Sequence, residues 1–101
     1  MDEDSALVAR LRDGDETAFS ELVQRYQPRL LRLAESTVGS RDVAQEATQD
    51  TWIAVLRGID RFEGRSSFKT WLFRILMNRA RTARSREHKA GLPSDDIDDR
   101  F

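Results

Sequence analysis

At 101 residues, 39% of them hydrophobic, the chain is long enough for one domain with a modest core and too short for two. Its 17 Lys+Arg and 18 Asp+Glu leave a formal net charge of -1, and the absence of cysteine excludes disulfides and cysteine-ligated metal or redox centres. No apolar run approaches the roughly 18 residues of a membrane span, and the opening MDEDSALVAR is acidic where a secretory leader is basic. A soluble cytoplasmic protein without membrane insertion is expected.

In chain order the signals are helical, with no alternating strand-like runs. An all-α bundle of about four helices is therefore expected. A short first helix starts at Asp4 or Ser5, turns Ala6, Leu7 and Leu11 inward, and stops at RDGD. Asp15 then caps a second helix, with Glu16 in its first turn. Phe19, Leu22, Val23, Tyr26, Leu30, Leu33, Ala34 and Thr37 keep helical phase along it. Pro28 falls on the opposite side, where a kink or brief break is expected.

A third helix runs from Asp42 to Arg57 and ends at Gly58, with Val43, Ala47, Thr51, Ala54 and Val55 facing inward. Its other side carries Glu46, Gln49, Asp50, Ile53 and Arg57. Ile53 stands among polar neighbours there, as an isolated exposed residue or as the centre of a partner-helix interface. DRFEGRSS reads as a loop, and Ser66 or Ser67 caps a fourth helix, Phe68 to Arg86. Phe68, Leu72, Ile75 and Leu76 form its core stripe with Trp71 at the edge. Thr70, Arg74, Asn78, Arg81 and Ser85 share the opposite wedge. Residues 1–90 form the domain, and residues 91–101 are expected to be a flexible acidic linker.

The near-neutral total is a cancellation along the chain. Residues 1–60 hold seven Lys+Arg and twelve Asp+Glu, residues 61–90 hold nine and two, and residues 91–101 hold one and four. A basic block of this kind fits a polyanion partner, or a solvated helix facing acidic segments of its own chain. The fourth helix contains no acid before Glu87, so its arginines lack acidic partners three or four residues away on that helix.

Catalytic chemistry finds no support. Neither GxGxxG nor GxxxxGK[ST] occurs, and the single histidine, His88, sits in a polar run. DDIDD lacks the ligand order of a calcium loop. Glu46 and Asp50 give half of a bundle metal site, without the histidines that would complete it. No enzyme activity, metal or cofactor is expected.

Two nucleic-acid modes remain for the basic segment. A helix could read duplex base edges with Arg and Asn, or a single strand could lay its bases on aromatic walls while cations follow the phosphates. The loop FEGRSSF favours the strand: Gly64 allows close approach, and Arg65, Ser66, Ser67 and the helix N-terminus offer donors to a phosphate or an extruded base. A tight turn with Phe62 and Phe68 buried beneath it accounts for the same residues, and the two readings are compatible.

The stretch DVAQEATQDTWIAVLRGIDRFEGRSSFKTWLFRILMNRAR resembles region 2 of the extracytoplasmic-function (ECF) sigma factors. Ala44, Gln45, Glu46, Gln49, Asp50 and Trp52 carry one motif, and Phe62, Gly64, Ser67, Phe68, Trp71, Leu72, Ile75 and Asn78 carry the other. The opening DETAFSELVQRYQPRLLRLA is similar as well, and the likeness covers about residues 5–86. It implies a transcription initiation domain whose partners are RNA polymerase core and promoter DNA. Glu46, Gln49, Asp50 and Ile53 would meet the β′ clamp helices. The loop Phe62 to Ser67 would hold a flipped non-template base of the minus-ten element, with Arg61, Phe62, Gly64, Arg65, Ser66, Ser67, Lys69, Thr70, Trp71, Arg74, Asn78 and Arg81 meeting DNA.

An anti-sigma regulator is a further expected partner, and a docking surface for it is the alternative function. Gln45, Asp50 and Thr82 depart from the family pattern, the last where an acid is common. The resemblance also implies a second, helix-turn-helix domain, which these 101 residues do not include.

Overall fold

A computed structural model describes residues 2–90, with side chains to residue 86. Four helices, α1 (Ser5–Arg12), α2 (Glu16–Val38), α3 (Arg41–Gly58) and α4 (Phe68–Ala90), follow one another, with a 3-10 turn at Ile59–Arg61. The all-α architecture is as expected. Residues 91–101, expected to be a linker, lie outside the described residues.

Local chemistry sets the helix starts. Asp15 Oδ1 accepts the backbone N–H of Thr17 at 2.9 Å, capping α2, while Arg10 Nε donates to Oδ2 at 2.8 Å. The Thr17 hydroxyl and then the Arg10 guanidinium hold the Asp15 carboxyl down at about 2. Ser40 begins α3, accepting the N–H of Val43.

Against expectation, α2 passes through Pro28 without a break. Pro28 is exposed, so the Gln24 carbonyl left without its helical donor can turn to water, and the long buried stripe holds the helix together. The first turn also differs: Ala6 is exposed, and Val8 is buried with Leu7 and Leu11. α3 starts one residue earlier than expected, and α4 continues to Ala90.

The core is made where α2, α3 and α4 meet. Leu22, Tyr26, Leu30, Val55, Phe68, Leu72 and Leu76 have no exposed surface. Because α3 touches both neighbours, its inward arc is wider than a single stripe. It buries Ala44, Thr48 and Trp52 as well as Ala47, Thr51 and Val55, while Val43 and Ala54 are only half-buried. The polar groups brought inside are satisfied: Thr48 and Thr51 donate to the carbonyls of Ala44 and Ala47 at 2.8 Å, and Trp52 Nε1 donates to Gln27 Oε1 at 2.7 Å. Phe19 meets the Trp52 ring edge to face at 5.7 Å.

Asp4 is the one fully buried acid among the described residues. It accepts from the Tyr26 hydroxyl and pairs with Arg25, tying the chain start to the middle of α2. Burial, and then this carboxylate, push the Tyr26 phenol well above its ordinary range.

Candidate nucleic-acid interface

The end of α3, the 3-10 turn and the start of α4 shape the loop. A Cβ on Gly58 would stand 3.4 Å from the Trp71 indole, so the small residue lets the ring lie against the backbone. The Phe62 ring is 4.8 Å from that of Trp71 and 6.3 Å from that of Phe68, and Tyr26 meets Phe68 from below at 6.1 Å. Phe68 is buried, while Phe62, Trp71 and Phe73 are half-buried. Phe68 thus lies buried beneath the turn as expected, while Phe62, expected to be buried with it, is only partly covered because it sits at the loop's edge.

Above that floor the loop is held open. Gly64 has φ of 75°, a left-handed conformation that favours glycine, with nothing within 4 Å of the space a Cβ would fill. Ser67 is the cap of α4: its Oγ accepts the N–H of Thr70 at 3.0 Å and donates to the Thr70 hydroxyl at 3.0 Å. The N–H of Phe68 is taken by Asp2 Oδ2 at 2.7 Å. The Ser66 hydroxyl donates to the Ser67 carbonyl at 3.2 Å, so three donors expected for a ligand at this helix start are already engaged. The side chains of Arg65 and Glu63 pair at 2.9 Å but are 88% and 65% exposed, so solvent screening makes that pair easy to part.

Arg61, Phe62, Arg65, Ser66, Trp71 and Arg74 line one cleft of about 170 Å³, joined by Glu63. Lys69 and Thr70 lie outside it, exposed on the first turn of α4, and Gly64 lines a second cleft on the other side of the loop. Asn78 and Arg81 stand farther along α4, Arg81 about 10 Å beyond Arg74 at the helical rise. Arg81 Nη2 donates to Asn78 Oδ1 at 2.6 Å, and the Thr82 hydroxyl bonds the Asn78 carbonyl at 3.0 Å. Thr82, which departs from the family pattern, thus bonds within its own helix, to the carbonyl four residues back.

The outer side of α3 is a separate surface. Glu46 and Gln49 are exposed on it, and Ile53 is 46% exposed. Leu56, which the sequence reading did not single out, is 51% exposed beside it. Its spacing of three from Ile53 was the available signal. Asp50 is half-buried and turns to the flank, where Ile53, Arg57, Arg79, Thr82 and Arg86 help it line a cleft of about 500 Å³ between α3 and α4. Among the described residues no group of side chains could hold a metal ion, and no helix is long and apolar enough to cross a membrane.

This arrangement has known counterparts. The family described as Sigma-70 region 2 matches residues 22–90, and the chain belongs to that family. Within it the likeness is to the ECF group. The ECF RNA polymerase sigma-E factor of Haemophilus influenzae is 39% identical over 97 residues, 93% of this chain and 49% of the relative. That of Escherichia coli K12 is 39% identical over 95 residues, 94% of this chain and 49% of the relative. The chain therefore spans about half the length of these relatives. An NMR structure of an engineered region 2 of sigmaE in complex with GTAAAA superposes with a TM-score of 0.73 at 35% identity, covering 92% of this chain and 100% of that one.

Proposed function

We propose that this domain recognises and melts the promoter minus-ten element as part of an RNA polymerase holoenzyme. It docks on the β′ clamp helices through Glu46, Gln49, Asp50, Ile53 and Leu56 of α3, and captures a flipped non-template base at the loop. Arg61, Phe62, Arg65, Ser66 and Trp71 surround that base. Gly64 and Ser67 hold the loop's shape, and Lys69, Thr70, Arg74, Asn78 and Arg81 follow the strand. The role is non-catalytic and belongs in the cytoplasm, where polymerase works.

The observation that carries this reading is the loop: exposed cations and a hydroxyl arranged around half-buried rings. Extruding a base costs a few kcal/mol, and a stacking wall with charged donors beside it offsets that cost. The likeness to a region 2 bound to GTAAAA adds to it. The exposed pair Ile53 and Leu56 favours a protein partner on α3, and makes the same face the natural target of an anti-sigma regulator that competes with polymerase.

Fluorescence anisotropy against short labelled single strands, GTAAAA-like and scrambled, tests the loop. The chain is expected to prefer particular bases, and Arg65→Ala and Asn78→Ala to erode that preference at two salt concentrations. Binding indifferent to sequence and to both substitutions would leave docking on a protein partner as the function.

A further inference from the structure

The start of the chain, which lies ahead of the family match at residues 22–90, holds the loop at both ends. At the far end, Asp2 accepts the N–H of Phe68 across 66 positions of sequence. At the near end, Arg12 donates from Nε to the Ile59 carbonyl at 3.1 Å and from Nη2 to the Phe62 carbonyl. Its guanidinium carbon also lies 5.8 Å from the centroid of the Phe62 ring. The planar fork of arginine suits this double contact, because one group can serve two carbonyls while its face rests on a ring.

The clasp has its own anchor. Asp4 is fully buried and fixed by Tyr26 and Arg25, and Asp2, two residues upstream, can stray from it by no more than about 7 Å. Between the chain start and the loop is a cleft of about 350 Å³, lined in part by Asp2, Arg12, Phe62, Glu63 and Gly64. The loop is thus pinned at Phe62 and at Phe68, with its tip standing over a void.

We infer that Arg12, with Asp2 as its counterpart at the opposite end, is a positioning residue for the base-capturing loop: it fixes the loop's ends and thereby the shape of the pocket, without touching the strand. This rests on the proposed function, since a loop that captures no base needs no preset shape. The physical reason is preorganisation. A loop already fixed at both ends loses less conformational freedom when a base enters, and that saving appears only for the base that fits.

The test uses the 101-residue chain with Arg12→Ala, Arg12→Lys and Asp2→Ala. Affinities for a preferred and a scrambled single strand are measured together with thermal midpoints and the amide exchange rate of Phe68. Arg12→Ala is expected to lower affinity for the preferred strand about tenfold, or about 1.4 kcal/mol. Affinity for the scrambled strand, which is set by phosphate contacts, should hold. Arg12→Lys, which keeps the charge but loses the planar fork, should fall between. Asp2→Ala should speed exchange at Phe68 and reduce the same preference.

A wild-type chain that selects its strand, beside an Arg12→Ala chain that selects equally well, overturns the inference and spares the proposed function. A wild-type chain that selects nothing overturns both. If Arg12→Ala fails to fold, Arg12→Lys decides: a folded lysine variant with undiminished preference overturns the inference, and one with reduced preference supports it. A drop in thermal midpoint with the preference intact assigns Arg12 to stability alone and likewise overturns it.

Discussion

The outer face of α3 and the face made by the loop and α4 share one core, yet they expose opposite surpluses. On α3 the surplus is apolar: Ile53 and Leu56 stand in water among Glu46 and Gln49, where burial inside the domain was open to neither. On the loop and α4 the rings are drawn down into the fold, and the surplus is charge, in Arg61, Arg65, Lys69, Arg74 and Arg81. Apolar exposure is relieved by another protein's apolar surface, and its worth depends little on salt. Exposed cations are matched by phosphates, and their worth falls as salt rises. The difference gives one small domain two surfaces that suit partners of different chemistry.

Striking at what the faces share gives the largest effect. Leu72 has no exposed surface and lies in the core between the helices, so Leu72→Ala is expected to cost about 3 kcal/mol in chemical denaturation. Strand and polymerase binding should then fail together on warming. Next, Ile53→Asp with Leu56→Asp should weaken binding to polymerase core about a hundredfold, near 2.7 kcal/mol, while strand affinity and thermal midpoint stay close to wild type. Equal loss of both bindings would refute the separation of the faces. Arg74→Ala should act on the strand alone: weaker binding to all sequences, and a salt dependence shallower by about 0.7 in log–log slope if one phosphate contact is lost. Unchanged slope would remove Arg74 from the phosphate path.

The smallest expected effect is a uniform one. Tyr26 is the only tyrosine, so its phenolate absorbance reports one site. Its folded-state ionisation is raised, so the stability it contributes is whole below the unfolded value of about 10 and is lost as pH climbs above that toward the raised folded one. Absorbance should stay phenolic in the folded chain and change only as it unfolds. Both faces should weaken in parallel, since α2 supports each.

Most of the helices and the loop were legible in the sequence because their signals are local. Apolar spacing marks α2 and α4, Asp15 and Ser67 cap their own helices, and the glycine at position 64 marks the turn. What was not legible depends on partners far away in sequence. Arg12 looks like the polar side of a short helix until Ile59 and Phe62 are found beside it, and Asp4 looks like a helix start until Tyr26 covers it. Trp52 follows the same pattern, since its inward turn depends on Gln27 accepting from its indole. The burial of Ala44 and Thr48 was not legible because a helix touching two neighbours buries an arc too wide for a single stripe to predict, whereas Leu56 had a local signal in its spacing of three from the exposed Ile53.

The rings of Phe62 and Phe68 stand 6.3 Å apart at an angle of 84°, so the loop between them closes on itself at its base. A hoop fastened in this way separates its shape from what it displays. Gly64 keeps the left-handed turn, so side chains changed at residues 63, 65 and 66 alter what the hoop presents to solvent while the rings at its base keep their places.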